Sequence, residues 1–328
     1  MTRANYQALG DGIFCIDTEL YRHSMAACYL VAEGDALAFV DTGPARAGPL
    51  LLDVLEQLGY SPAQVRYIIP THVHLDHGGG AGALLQHCPD ATLITHPKGL
   101  PHLIEPARLQ AGAEAVYGVE SYDRHFGALV PVPAARALAA ADELVIDLAG
   151  RRLQYVHTPG HANHHGCVFD ERTRSCFTGD AFGIAYPEFQ GEYGPWVFAT
   201  TTPVAFDPAA WATSLDRLMA LEPAAMLLTH YGRVDDLEHL EPQLRTSLEA
   251  MTAIALSEEG SPQAGRFERI RTKVAANLFA GAQQHAPRLS AARINTLLDG
   301  DYDLNAQGLE VWLQRRARAA RQGGGNGH

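Results

Sequence analysis

One stretch decides how the rest of the chain is interpreted: residues 71–80 read THVHLDHGGG. Four side chains that bind divalent metals crowd into it, namely His72, His74, Asp76 and His77. A buried polar group without a partner costs about 1–3 kcal/mol, so a metal ion would stabilise such a cluster. An apolar, strand-like run precedes the cluster and a glycine-rich helix start follows it. We therefore predict a metal site on a strand-to-helix loop, where α/β proteins often carry functional residues.

Further candidate ligands follow predicted strands later in the chain: His161, Asp180 and His230. A lone histidine in a loop is more often a structural residue than a ligand, but these residues extend a dense cluster in a regular order. The complete set contains five histidines and two aspartates. That set is large enough for two metal ions, with one carboxylate available to bridge them.

The ordered motifs resemble those of the metallo-β-lactamase superfamily, and within it the glyoxalase II-like hydrolases. The family order is His-x-His-x-Asp-His, then His, a bridging Asp and a final His, and the resemblance covers about residues 10–235. It implies an α/β fold, the four-layer αβ/βα sandwich, with the ligands on loops at one edge. Asp180 separates the chain from the antibiotic-hydrolysing β-lactamases, which usually carry Cys there. His74 disfavours the flavodiiron oxygen reductases, which carry Glu.

The resemblance also implies a role for each ligand. Carried over residue by residue, the first ion would be held by His72, His74 and His161, the second by Asp76, His77 and His230, and both by Asp180. Zinc is the metal that the family favours, while iron and manganese also suit imidazoles and carboxylates. The implied reaction is hydrolysis of a thioester, a lactone or a related ester by a metal-bridging hydroxide. Asp76 would be catalytic as well as a ligand, because it could accept the proton of the nucleophile.

Two other functions stay open at this stage. A di-iron protein with a redox or oxygen-handling role would need a flavin domain or an electron partner, and the sequence shows no flavin module. A regulatory binding protein on the same fold would act through partners and would have no need to retain all seven ligands. Hydrolysis is therefore the preferred hypothesis.

Two stretches are predicted to form the walls of a substrate pocket. The first is an insertion of about residues 97–142, helical over residues 109–117 and irregular through residues 122–126, and the second is the aromatic-rich loop 183–206. The candidate substrate contacts are Lys98, Tyr117, His125, Tyr186 and Trp196. A structural role is the simpler alternative for each of them.

Other polar residues are predicted to support the ligands without binding the metal. Asp41 ends a predicted strand and is expected to hold the metal loop, with helix capping as the alternative. His164 and His165 follow His161 too closely to be further ligands. We expect them to pack or to form hydrogen bonds beside the site.

The predicted domain organisation is simple. Residues 1–235 form the catalytic domain, and residues 236–322 form a C-terminal helical segment. The helices there are predicted over residues 236–260, 262–286 and 289–322. The glycine-rich residues 323–328 are predicted to be a disordered tail.

Composition limits the partners. The chain has 328 residues, 47% of them hydrophobic, and a formal net charge of -12, which argues against binding to nucleic acid. Its five cysteines form no Cys-x-x-Cys pair, so free thiols in a reducing cytosol are expected. No signal peptide or membrane span is recognisable. We expect a cytoplasmic protein with a small-molecule substrate and no nucleic-acid or membrane partner, and a homodimer is possible.

Overall fold

The structure is a computed structural model that describes residues 3–192 and 194–323. The chain divides into two compact units. Unit 1 contains Met1–Thr158, His164–Gly179 and Arg217–Asp235, and unit 2 contains Pro159–Asn163, Asp180–Asp216 and Asp236–His328. The tail predicted to be disordered lies outside the described residues, except for Gly323.

Unit 1 contains a seven-stranded sheet whose strands follow chain order. They are β1 (Tyr6–Gly10), β2 (Ile13–Asp17), β3 (Ala27–Glu33), β4 (Ala36–Val40), β5 (Val65–Ile69), β6 (Thr92–Thr95) and β7 (Ala137–Ala139). Strands β1 to β4 are antiparallel, and β4 to β7 are parallel. The carboxyl ends of β4 and β5 therefore meet at one edge of this sheet.

A second sheet of six strands also belongs to unit 1, in the order β13-β12-β11-β10-β9-β8. The strands are β8 (Leu144–Leu148), β9 (Arg151–His157), β10 (Gly166–Asp170), β11 (Ser175–Gly179), β12 (Ala225–Leu228) and β13 (Gly232–Val234). Only β11 and β12 pair in parallel; the other neighbours are antiparallel. This strand arrangement brings the ends of β11 and β12 side by side.

The two sheets face each other because strand residues alternate between two buried faces. In β3, Cys28 and Leu30 pack with the helix that follows β4, while Tyr29 points into the core shared with the second sheet. Tyr29 meets Phe177 of β11 edge to face at 5.2 Å between ring centroids, and its hydroxyl donates to the carbonyl of Leu228 (2.6 Å). The predicted α/β sandwich is confirmed.

Ten α-helices lie in the described residues. Six occur in the first part of unit 1: α1 (Gly48–Gln57), α2 (Leu75–Gly78), α3 (Ala81–His87), α4 (Leu100–Ile104), α5 (Ala107–Tyr117) and α6 (Val119–His125). The other four are α7 (Pro208–Ala220), α8 (Leu237–Leu256), α9 (Arg266–His285) and α10 (Ala291–Gly323). Helices α8 to α10 confirm the C-terminal helices predicted from sequence. None of the helices described combines the length and apolar content that a membrane crossing requires.

The insertion is more regular than predicted. Residues 122–126 were expected to be irregular, but α6 covers most of them. The reason is tertiary packing: Tyr122 and Phe126 lie four residues apart, so both face a small core that contains Leu20 and Leu75. Leu75 belongs to the predicted metal loop, so the insertion packs directly against that loop.

Candidate metal centre

The dense cluster lies between β5 and α3, on the predicted strand-to-helix loop. The loop leaves β5 at the buried Thr71 and His72, and the short helix α2 then turns Asp76 and His77 back towards the strand ends. Gly78 is required there, because a Cβ at that position would lie 2.9 Å from the carbonyl oxygen of His72. Close packing of the loop on itself therefore explains the glycine that follows the ligands.

Asp41, the residue after β4, holds this loop in place. Its carboxylate accepts hydrogen bonds from the Thr71 amide (2.7 Å), the Thr71 hydroxyl (2.9 Å) and His77 Nδ1 (2.8 Å). It also accepts one from the hydroxyl of Thr229 (2.8 Å), which precedes His230 at the end of β12. Asp41 thus ties two ligand loops together, which confirms its predicted supporting role over helix capping.

Asp76, His77 and His230 form a compact group within unit 1. Their donor atoms all lie within 4.8 Å of one another. Asp76 Oδ2 is 3.2 Å from His230 Nε2 and 3.7 Å from His77 Nε2. The Nδ1 of His230 donates to the carbonyl of Met25 (2.7 Å), so its Nε2 faces Asp76. Both histidines are buried, while the Asp76 side chain is 26% exposed and can meet water.

His72 and His74 converge a short distance away on the same loop. Nε2 of His72 is 2.8 Å from Nδ1 of His74, and Nδ1 of His72 is 3.2 Å from the hydroxyl of Thr71. His165 packs beside His72 with 4.8 Å between ring centroids, and its Nδ1 is 2.8 Å from the hydroxyl of Thr158. His165 therefore has the packing position that the sequence predicted.

His161 and Asp180 lie together in unit 2. Nε2 of His161 is 3.2 Å from Oδ2 of Asp180, and its Nδ1 donates to the carbonyl of Thr200 (3.0 Å). Trp211 supports both residues: its ring packs edge-on against His161, and its Nε1 donates to the carbonyl of Ala181 (2.7 Å). Both predicted ligands are buried.

The donor set fits divalent metal ions. His77, His161 and His230 each donate from Nδ1 to an oxygen, which leaves Nε2 without a proton in the neutral ring. In each case Nε2 lies 3.2–3.7 Å from an aspartate oxygen, and Nε2 of His161 also lies 3.4 Å from the Thr202 hydroxyl. Two electron-rich atoms at such distances need a cation between them or a proton. Metal-ligating histidines commonly use their other nitrogen in this way.

Unit 1 contains a cavity of about 800 Å³ beside the insertion. The predicted substrate residue His125 lines this cavity, whereas Tyr117 does not. The cavity lining includes His125, Tyr21, Leu20, Leu50 and Arg46. The ring of His125 packs at a tilt against Tyr21 with 4.3 Å between ring centroids, and Tyr117 packs on Phe126 at 4.9 Å. Burial, and next the nearby Asp76 carboxylate, raises the pKa of the Tyr21 phenol. The predicted metal ligands are not among the residues that line this cavity.

The other predicted substrate residues have different surroundings. Lys98 is exposed, and its backbone amide donates to His96 Nδ1 (3.0 Å). In unit 2, Tyr186 and Trp196 are buried in an aromatic cluster: the Trp196 ring stacks on Phe198 at 4.6 Å, and the Tyr186 hydroxyl donates to Asp301 (3.3 Å). Contact of these residues with substrate stays a prediction.

Sequence reasoning missed Thr229, which supports the candidate metal centre, and Tyr21, which lines the cavity. A signal for Thr229 was present, because both Thr71 and Thr229 directly precede a predicted ligand and both donate to Asp41. No comparable signal pointed to Tyr21, which lies in a loop between β2 and β3.

Comparison with known proteins assigns the chain to a family. The sequence model of the metallo-beta-lactamase superfamily matches residues 22–230, which contain every predicted ligand. The chain belongs to the metallo-β-lactamase superfamily. Its assignment to the glyoxalase II-like branch stays a prediction.

Relatives within the superfamily carry different names. The metallo-beta-lactamase fold-containing protein ST1585 of Sulfurisphaera tokodaii is 32% identical over 183 residues, which are 54% of this chain and 66% of that protein. The acyl-coenzyme A thioesterase MBLAC2 of Gallus gallus is 30% identical over 194 residues, 53% of this chain and 64% of that protein. The chain thus spans less than two thirds of the length of each of these relatives.

Solved structures agree on the fold. The crystal structure of ST1585 from Sulfolobus tokodaii matches with a TM-score of 0.63 and 23% identity, covering 92% of this chain and 98% of that one. A metallo-beta-lactamase family protein of Thermus thermophilus matches with a TM-score of 0.62 and 22% identity, covering 95% of this chain and 96% of that one. These matches include the C-terminal helices as well as the sandwich.

Proposed function

We propose that this protein is a metal-dependent hydrolase that acts on a thioester, a lactone or a related ester. The observation that carries the proposal is the shared arrangement of His77, His161 and His230. Each uses Nδ1 for a fixed hydrogen bond and presents Nε2 to an aspartate, which is the arrangement of a metal ligand.

Two divalent ions are the proposed cofactors, with the ligands in the order that the family implies. His72, His74 and His161 would hold one ion, Asp76, His77 and His230 the other, and Asp180 would bridge them. Zinc is proposed on the resemblance, and the same donors admit iron or manganese. When bound, the ions would make a water molecule nucleophilic near neutral pH and polarise the carbonyl of the substrate.

The side chains of the chain itself have two tasks in this proposal. The partly exposed Asp76 would accept a proton from the attacking water, since it is within reach of solvent while its neighbours are buried. The cavity beside Tyr21 and His125 would take the organic arm of the substrate. Its lining contains apolar residues that suit such an arm, together with arginines and carboxylates.

An acyl substrate is supported by relatives as well as by charge. Besides the avian acyl-coenzyme A thioesterase, an atrochrysone carboxyl ACP thioesterase of Passalora fulva is 27% identical over 157 residues, 46% of this chain and 36% of that protein. The net charge of -12 makes a phosphodiester of nucleic acid a poor substrate. Thioesters therefore come first in the test.

The test is a panel of thioesters, lactones and phosphodiesters, assayed with protein reconstituted with zinc, iron or manganese. We expect thioester or lactone hydrolysis that falls by about 1,000-fold in His72→Ala and in Asp180→Asn, because metal activation contributes several kcal/mol. His239→Ala is the matched control, since His239 is exposed and pairs only locally with Asp236. Hydrolysis that survives both ligand variants, or none with any substrate, would contradict the proposal.

The same samples test the two alternatives. Metal-dependent absorbance without hydrolysis would favour a di-iron redox role. If Asp180→Ala abolished turnover yet left a cellular phenotype intact, a regulatory binding role would be favoured instead.

A further inference from the structure

The C-terminal helix α10 reaches the ligand His161 through one peptide group of unit 2. Nδ1 of His161 donates to the carbonyl of Thr200 (3.0 Å). The amide of Thr201, in the same peptide group, donates to the side-chain oxygen of Asn305 in α10 (2.6 Å). Because a peptide group is planar, its carbonyl and amide cannot rotate independently. Fixing the amide on Asn305 therefore fixes the carbonyl that orients the imidazole.

We propose that Asn305 is a positioning residue for His161, which it holds in ligand geometry through the Thr200–Thr201 peptide. This inference rests on the metal-binding role of His161 in the proposed function. It assigns to the C-terminal helices a task in the metal site.

The chemistry of Asn305 suits this role. Its amide group serves both sides: the oxygen accepts from Thr201, and the nitrogen donates to the carbonyl of Asp301 (2.7 Å). The hydroxyl of Thr201 adds contacts to the side-chain and main-chain oxygens of Asn305, both at 3.0 Å. Asn305 is 1% exposed, so water cannot replace these bonds. The amide orientation follows from its neighbours, because Thr201 N can only donate and Asp301 O can only accept.

A second contact shows how closely α10 approaches this peptide. Gly308 lies three residues after Asn305 and therefore on the same helix face. A Cβ at Gly308 would lie 1.4 Å from the carbonyl oxygen of Thr201. The helix backbone thus packs directly on the segment that Asn305 binds.

The hydrogen bonds form a chain with one direction. The imidazole donates to a carbonyl whose amide donates to Asn305, so each bond polarises the next. Polarisation of the Thr200 carbonyl makes it a better acceptor and His161 Nε2 a stronger ligand. Loss of Asn305 is therefore expected to weaken metal binding even where the protein remains folded.

The experiment measures zinc binding by chelator competition, together with the visible spectrum of the cobalt-substituted protein. In Asn305→Leu we expect the affinity for the ion bound by His161 to fall by about 10- to 100-fold and its cobalt spectrum to change. The affinity for the other ion should stay within threefold. Asn305→Asp retains the acceptor for Thr201, so its metal affinity should lie within about threefold of that of the parent protein. If the leucine variant does not fold, Asn305→Ser provides a smaller replacement.

Controls separate positioning from general damage. Asn295→Leu changes an exposed asparagine of the same helix and should leave both affinities unchanged. In a His161→Ala background, Asn305→Leu should cause no further loss, since the ligand it positions is gone. Unchanged affinity in a folded Asn305→Leu or Asn305→Ser protein, or equal loss at both ions, would overturn the inference. If His161→Ala itself leaves metal binding intact, the proposed function fails instead.

Discussion

His77 and His161 are anchored in different ways, although both present Nε2 to an aspartate. His77 donates to a buried carboxylate, Asp41, which also collects bonds from Thr71 and Thr229. His161 donates to a main-chain carbonyl, Thr200, which is held in turn by Asn305. A carboxylate raises the basicity of the imidazole ring directly. A main-chain carbonyl does so only to the extent that its peptide group is held in a fixed orientation. The orientation of His77 therefore depends on one side chain, whereas the orientation of His161 depends on a packed segment.

The largest effect is expected at the carboxylate. In Asp41→Asn, one carboxylate oxygen becomes an NH2 group, which would face either the Thr71 amide at the Oδ1 position or His77 Nδ1 and the Thr229 hydroxyl at the Oδ2 position, so buried donors lose their acceptor. With about 1–3 kcal/mol for each unsatisfied donor, we expect a loss of roughly 4 kcal/mol in the free energy of unfolding of the metal-free protein. Urea denaturation measures it.

Asp35→Asn is the control, because Asp35 lies in the exposed turn between β3 and β4 and should shift stability by less than about 0.5 kcal/mol. Equal stability of the two variants would remove the distinction between Asp41 and an ordinary aspartate.

The segment that controls His161 should respond to packing instead. Gly308→Ala places a methyl group against the carbonyl oxygen of Thr201, and we expect about 3 kcal/mol of destabilisation in urea. Gly300→Ala in the same helix meets no heavy atom within 4 Å among the described residues, so it should stabilise the protein by about 0.5–1 kcal/mol. If both variants changed the free energy of unfolding by the same amount, the inferred close packing of α10 on Thr201 would be wrong.

The same contrast explains what the sequence could predict. His72, His74, Asp76 and His77 are neighbours in the chain, so a local motif revealed them, and the strand that ends at Asp41 revealed its support. The bonds between Thr201 and Asn305 join residues 104 positions apart, and neither residue belongs to a motif. Only the fold brings them together.

The error in the insertion has a related cause. Residues 122–126 carry no strong helical pattern on their own, and α6 forms because Tyr122 and Phe126 find a buried partner in Leu75. Tertiary burial can stabilise a short helix that local propensity would leave undecided. The stretches predicted to form substrate walls were for this reason the least predictable part of the fold.

A smaller perturbation tests whether Asp41 really joins two loops. Thr229→Val removes one hydroxyl donor from Asp41 and leaves the bonds to Thr71 and His77 in place. We expect about 1 kcal/mol of destabilisation and about a tenfold weaker affinity for the ion bound by His230. Zinc titration and urea denaturation measure the two effects. Thr213→Val, at an exposed position of α7, should change neither stability nor zinc affinity. Normal zinc affinity in Thr229→Val would mean that Asp41 does not support the loop that carries His230.

Glu258 provides the last contrast, because it is also a carboxylate with several donors but its partners are charged. Lys273 Nζ (2.6 Å) and Arg269 Nε (2.7 Å) donate to it, and these bonds lower its pKa from 4.5 to about 2. A lowered pKa contributes stability that is present above about pH 4.5 and is lost as the pH falls towards 2. Glu258→Gln should therefore destabilise the protein at pH 7 by less than Asp41→Asn does, and the gap to the parent protein should narrow between pH 4.5 and pH 2. Added salt should narrow it too, because both cationic partners are partly exposed. Urea denaturation across pH, with the exposed Glu249→Gln of α8 as the control, measures this difference in stability. A difference that depended on neither pH nor salt would mean that Glu258 does not act through its charge.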